Sequence, residues 1–442
     1  MLLLLAPRFF LQAPASPPAG AAPPLILPLR ERAALRDRWT ARRLETLVPR
    51  LMRREGISMW ILDSREYNED PVFETMAPAT WMSARRRTLL VFFDPGEDRP
   101  VERLAVSRYP VGDFFKAAWD PGAQPDPWAR LSELVGERDP ATIALDFSPI
   151  FALADGISSS ERRALEAALG EPWKSRIVSA EKLAVGWLET RIPEELEVYP
   201  RLCRIAHRII AEGFSERAIQ PGVTTTEDLQ WWFRERIEAL HLSTWFHPSV
   251  SLQRVSGKEL GFTQAFLTEE AVIHPGDLLH VDFGITYLGL NTDTQEHAYV
   301  LRPGERGAPA GLQAALKTGN RLQDTLMQNF RTGRTGNELL KKALEQARAQ
   351  GIEATIYSHP LGFHGHGAGP FIGLWDHQEG VPGRGDAAVH PDTVYSIELQ
   401  ARVPVAEWGG RKVRIMLEED AWFDGKAMHF LDGRQTELLL VR

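Results

Sequence analysis

One cysteine in 442 residues, Cys203, leaves no partner for a disulfide and no thiolate set for a zinc site. It falls in a helical stretch and reads as a small buried apolar residue. No apolar run is long enough to span a membrane. Basic charge is also short: 51 Lys and Arg against 59 Asp and Glu leave a net charge of −8, which argues against a nucleic-acid partner. No internal repeat of solenoid period is present. What remains is a chain long enough for two domains with proper cores.

Residues 1–28 read as a signal-like or disordered tail. Met1 to Ala6 is apolar, Arg8 interrupts, and a Pro/Ala-rich stretch follows with Ala19-Gly20-Ala21 as a cleavage-like site. This pattern predicts an exported or periplasmic protein, with a cytoplasmic one as the alternative. From Leu29 to Glu55 the spacing of Leu35, Trp39, Leu44, Leu47 and Leu51 predicts a basic amphipathic helix. Strands at 58–62, 88–93, 101–106 and 141–146 alternate with helices, which is α/β organisation. Trp187 to Pro193 reads as a domain junction. One helix is expected from Pro193 through Phe214, another after the cap Thr225, and two more over 312–330 and 335–350.

The segment HPGDLLHVDFGITYLGLNTDTQEHAYVL, His274 to Leu301, reads as two strands joined by a tight turn near Tyr287-Leu288-Gly289. Leu279, Val281, Phe283 and Ile285 alternate with Leu278, His280 and Asp282. Folded about that turn, Asp282 and Asp293 lie opposite each other, within roughly 5 Å. Carboxylates that close need a shared proton or a cation between them. A divalent metal is one reading; a solvated surface hairpin is the other. Glu398 in VYSIELQAR sits among apolar residues, where an unpartnered acid is costly to bury, and Glu418 lies in KVRIMLEEDAW. Glu398 is either a ligand or an exposed edge residue. Arg414 shares a strand face with Glu418.

VDFG, followed eleven residues later by TDT, resembles the metal-binding hairpin of the M24 superfamily of methionine aminopeptidase, Xaa-Pro aminopeptidase, prolidase and creatinase. The resemblance implies an α/β (α+β) chain: a pita-bread catalytic domain over 189–442, preceded by a smaller creatinase-type domain over 29–188. It implies up to two divalent ions per chain, Mn first with Zn, Co and Mg as alternatives, on Asp282, Asp293, Glu398 and Glu418. Glu419 could replace Glu418 through a bulge. Arg414 would brace a ligand carboxylate, and Glu398 would be the general base. A homodimer and a small peptide substrate with proline after the cut, or another small amide, are implied as well.

The proline peptidases carry a pattern close to His-Gly-x-Gly-His-x-x-Gly-x-x-x-His, in which the middle histidine binds metal and the last assists the reaction. Laid on SHPLGFHGHGAGPFIGLWDHQ, residues 358–378, it matches His366, Gly369, Gly373 and His377 and puts Pro370 at the metal position. Proline cannot coordinate. His366 or His364 then moves in as the nitrogen ligand, or the four carboxylates hold a hard ion alone. A metal-free, creatinase-like C–N hydrolase or lyase using His366 and His377 is the alternative, as is an inactive homologue. Retention of all four acids favours a metal, because four converging carboxylates repel strongly without a cation.

Overall fold

The computed structural model describes residues 26–96, 99–255 and 271–442. The export-signal reading rests on a segment that, up to residue 25, lies outside those described. Among the described residues no helix is long and apolar enough to cross a membrane.

Helix α1 (Leu29–Glu55) ends where Gly56 turns left-handed and its N–H closes onto the last carbonyls. Strands β1 (Met59–Arg65), β2 (Arg87–Phe93), β3 (Glu102–Ser107), β4 (Lys116–Ala117), β5 (Ile143–Leu145) and β6 (Ile177–Ser179) form one mixed sheet, in the order β4-β3-β2-β1-β5-β6. Strand alternation gives it two cores. Trp60, Leu62, Leu90 and Phe92 pack under α1, α2 (Pro71–Met76) and a later helix, α5 (Glu181–Glu189). Met59, Ile61, Leu89 and Val91 pack under α3 (Pro127–Arg138) and α4 (Ser159–Leu169).

The second half opens with α6 (Pro193–Leu196) and α7 (Tyr199–Gly213). The single helix expected here is broken at 197–198. Pro200, which lacks an N–H, fits the first turn of α7 but not a helix interior. Helix α8 (Thr226–Ala239) is capped by Thr225, whose hydroxyl accepts from Asp228 N while Asp228 reaches back. Strands β7 (Ser249–Gln253), β8 (Leu278–Phe283), β9 (Thr286–Tyr287), β10 (Leu290–Asn291) and β11 (Thr294–Val300) follow. Then come α9 (Ala310–Met327), α10 (Gly336–Ala349), β12 (Glu353–Ile356) and β13 (His359–Leu361). The chain closes with β14 (Thr393–Ser396), β15 (Leu399–Val405), β16 (Arg411–Leu417), β17 (Asp420–Phe423), β18 (Met428–Phe430) and β19 (Leu439–Val441).

These strands make three main sheets: β19-β11-β8-β7, β12-β15-β16 and β13-β14-β17-β18. Leu279, Val281 and Phe283 of β8 pack beneath α7 and α8, where Trp39 of α1 joins the same core. Leu399, Ala401, Val413 and Ile415 pack beneath α9 and α10. The chain switches sheets twice with almost no linker: Ile397-Glu398 separates β14 from β15, and Glu418-Glu419 separates β16 from β17.

The turn of the hairpin is centred one residue later than expected. Tyr287 pairs with Leu290, so the turn is the two residues Leu288 and Gly289, both at positive φ (58° and 77°). Asp282 therefore faces Gln295 across the ladder, not Asp293.

Candidate metal centre

The sheet seams bring one rung of several ladders into line. Asp282 pairs with Gln295, and Gln295 bridges to Glu418. The β14–β17 and β15–β16 ladders share one register, Ser396 opposite Asp420 and Leu399 opposite Leu417, so Glu398 faces Glu418. Tyr357 N then donates to Glu398 O at 3.2 Å. Residues directly opposed across antiparallel strands present their side chains on the same face. Asp282, Gln295, Glu418, Glu398 and Tyr357 thus form one transverse row. Asp293 and His359 lie two residues along their own segments and add to the same face.

His359 is fully buried, with Nε2 3.6 Å from Asp293 Oδ2, 3.6 Å from Glu418 Oε1 and 3.8 Å from Glu398 Oε2. Potential ligand atoms converge in overlapping triads: Asp282, Asp293 and Glu418; His359, Glu398 and Glu418; Asp293, His359 and His366. Within each, the atoms lie no more than 4.8 Å apart. Asp282 Oδ1, Asp293 Oδ1 and His359 Nε2 have no hydrogen-bond partner. Burial, reinforced by the charge of Glu418, pushes the Asp282, Asp293 and Glu398 carboxyls well above the usual range.

Polar neighbours hold this cluster. Gln295 Nε2 donates to Glu398 Oε1 and to Glu418 Oε2, each at 2.7 Å, while its Oε1 contacts His280 Nε2 at 2.9 Å. The Ser396 hydroxyl donates to Glu418. His297 is used up structurally, taking Met416 N at Nε2 and bonding Leu279 O through Nδ1. Beside His359, ring centroid 4.6 Å away, stands His366, whose Nε2 is 3.2 Å from the Tyr357 hydroxyl. Trp245 packs edge-on against His366 at 5.1 Å and lies so close to Gly365 that a Cβ there would sit 2.1 Å from the indole. Phe363, in the same loop, packs against the guanidiniums of Arg43 and Arg191, 4.8 and 4.5 Å from its ring centre.

The structure brings together Asp282, Asp293, Glu398 and Glu418, with His366 at their edge. Glu398 lies in the crossover between strands rather than within one. Three expected residues are not among these converging groups. His377 is solvent-exposed, and its Nδ1 contacts Asp376 at 2.9 Å. Arg414 faces Arg402 across its ladder, and among the described residues no carboxylate lies within ion-pair distance of it. It sits four residues before Glu418, roughly 13 Å along an extended chain. Glu419 points to the opposite side of its segment from Glu418.

The imidazole at the centre is His359, which the sequence reading passed over. Its signal was present: His359, Gly362 and His366 fit the His-x-x-Gly-x-x-x-His half of the pattern, eleven residues before the register first laid on the loop. In that register Pro370 no longer occupies a ligand position. The preceding half of the pattern is absent, with Thr355, Ile356 and Ser358 in place of its histidine and glycines.

A mixed-sheet domain followed by a seam of sheets lined with carboxylates and histidine defines the two-domain pita-bread class of fold. The chain belongs to metallopeptidase family M24, whose model matches residues 201–421. Among solved structures, the X-Pro aminopeptidase of Thermotoga maritima is similar over 89% of this chain and 100% of its own, at 18% identity and a TM-score of 0.61. A dipeptidase from Pyrococcus horikoshii covers 90% of this chain and 100% of its own, at 18% identity and a TM-score of 0.57. A His243Ala form of Escherichia coli aminopeptidase P covers 90% and 96%, at 14% identity and a TM-score of 0.58. No curated protein sequence matches the chain significantly.

Proposed function

We propose that this chain is a metal-dependent peptidase cleaving small peptides with proline after the scissile bond. The observation that carries the reading is the row itself: four carboxylates and a buried imidazole converge, and Asp282 Oδ1, Asp293 Oδ1 and His359 Nε2 have no other hydrogen-bond partner. That donor set fits divalent cations. Asp282, Asp293 and Glu418 would hold one ion and His359, Glu398 and Glu418 a second, with Glu418 shared. Four carboxylates to one nitrogen favour Mn²⁺, with Zn²⁺, Co²⁺ and Mg²⁺ as alternatives. When bound, such ions acidify water toward neutrality and polarise a carbonyl.

The chain's own groups complete the chemistry. Glu398, between Glu418 and Tyr357 in the row, takes a proton from the attacking water and passes it toward the leaving nitrogen. His366, lowered to about 3 by partial burial, the His359 ring and Arg384, stays neutral and hydrogen-bonded to Tyr357. Its place at the solvent side of the cluster suits contact with the carbonyl oxygen as charge develops there. Trp245, Tyr357 and Phe371 make an apolar wall around it that suits a proline ring.

The test combines metal content with turnover. Protein reconstituted with Mn²⁺ should bind two ions in the row and hydrolyse Xaa-Pro peptides in preference to Xaa-Ala peptides. Glu398→Gln should reduce kcat by about 10²–10⁴-fold. Absence of Xaa-Pro hydrolysis by a fully metal-loaded protein would sink the proposal.

A further inference from the structure

Across the same strands, facing away from the carboxylate row, lies a second group of metal-competent side chains. Glu296 follows Gln295 on β11 and Glu419 follows Glu418, so strand alternation turns both toward α7. There α7 lays His207 over them. His207 Nε2 is 2.9 Å from Glu419 Oε2, and ligand atoms of His207, Glu296 and Glu419 all lie within 4.8 Å of one another. Glu296 is 8% exposed, and among the described residues its carboxylate makes no hydrogen bond or ion pair. Neither the fold nor the proposed peptidase chemistry uses it.

We propose that His207, Glu296 and Glu419 form a separate binding site for one divalent transition-metal ion. Three features point that way. The far side of the imidazole is already braced: His207 Nδ1 is 3.2 Å from Asp432 Oδ2, and Arg204 holds the other Asp432 oxygen at 2.7 Å. A ligating histidine regularly hands its second ring N–H to a carboxylate in this way, which fixes the ring and aims the other nitrogen at the ion. The spacing also fits, since donors ~2.1 Å from one ion and about 90° apart stand ~3.0 Å from each other. The charge balances too: Glu296 and Glu419 together neutralise one divalent ion, which would replace the proton that His207 now holds against Glu419. Binding displaces the Nε2 proton to solvent. The His207 side chain is 19% exposed, which leaves a route for the ion and for water ligands. Since Glu419 is the neighbour of Glu418, the ion would also stiffen the segment that supplies the row.

The proposal does not depend on the peptidase reading. Wild type, Glu296→Gln, His207→Gln and Asp293→Asn would each be saturated with Zn²⁺, dialysed and analysed for bound metal, with circular dichroism as the check on folding. Glu296→Gln and His207→Gln should each lose one ion per chain relative to wild type. Asp293→Asn should keep that ion, and Zn²⁺ should still raise its Tm, an effect abolished when Glu296→Gln is added. Equal metal content in folded wild type and Glu296→Gln would overturn the proposal and leave the cluster as a protonated histidine held by carboxylates. If His207→Gln does not fold, Glu296→Gln, which preserves shape, decides alone. A failure of the row to bind metal would appear as an unchanged count in Asp293→Asn, a different outcome.

Discussion

Gln295→Met should weaken metal binding in the row without unfolding the protein. The side chain is 3% exposed and donates through one nitrogen to two carboxylates, Glu398 and Glu418, both at 2.7 Å. Methionine keeps the length and volume but removes the donor. A hydrogen bond to a charged group contributes about 1.5–3 kcal/mol, so two set an upper bound of about 3–6 kcal/mol on the interaction lost. Part of that is retained, because the Ser396 hydroxyl still donates to Glu418 and Trp375 still bonds Glu398. Residues that brace metal ligands in this manner typically account for 10–100-fold in metal affinity. That range equals ~1.4–2.8 kcal/mol, within the bound set by the two bonds. His280, which loses its contact with Gln295 Oε1, adds a stability cost of about 1–3 kcal/mol. The assay is a Mn²⁺ titration against a fluorescent chelator, paired with melts in the presence and absence of metal. The expected result is a 10–100-fold rise in Kd and a lower Tm for the metal-free protein. A folded variant whose Kd stays within about threefold of wild type would refute the idea that Gln295 positions the two acids.

Two further outcomes follow from the geometry. His366→Ala should reduce kcat/KM on a Xaa-Pro peptide by about 10²–10⁴-fold, whereas His377→Ala should change it by less than about twofold; steady-state kinetics showing the reverse order would restore the later register of the loop. The N-terminal domain should lose stability as pH rises. Asp70 is raised to about 7, chiefly by burial, and Asp146 well above its usual range by burial and then by the charge of Asp70. A carboxyl whose folded pKa exceeds its unfolded value of ~3.9 contributes stability that is complete below that value and is lost as pH climbs through ~7. Asp146→Asn, which keeps an oxygen for the Trp60 indole 2.7 Å away, should flatten the slope of Tm between pH 5 and 8, and a calorimetric series with an unchanged slope would count against the pairing.

Much of the scaffold could be read from local rules. The long first helix, the alternation in β1, β2 and β8, and the caps Thr225 and Thr335 follow from periodicity and side-chain chemistry that act within a few residues. The four acids were legible because an acid flanked by apolar strand residues needs a reason to be there. What failed depended on register. A turn centred between Leu288 and Gly289 rather than between Tyr287 and Leu288 shifts every cross-strand partner by two residues, so Asp282 was matched to the wrong residue. His359 was hidden by a glycine-rich stretch that offered a second, later alignment of the same spacing. Gln295 has no local signature at all. Its importance arises where ladders from separate parts of the chain happen to share a rung.

The grip of Arg43 and Arg191 on Phe363 has a consequence for how the protein comes into being. Arg43 belongs to the first helix and Phe363 to the loop between His359 and His366, with most of the chain between them. During synthesis the helix emerges long before the loop, and the loop gains its clamp when the two meet. The segment carrying both histidines is therefore fastened late, by a helix made well before it. The loop between the two histidines can take its final place only once the two halves of the fold have docked.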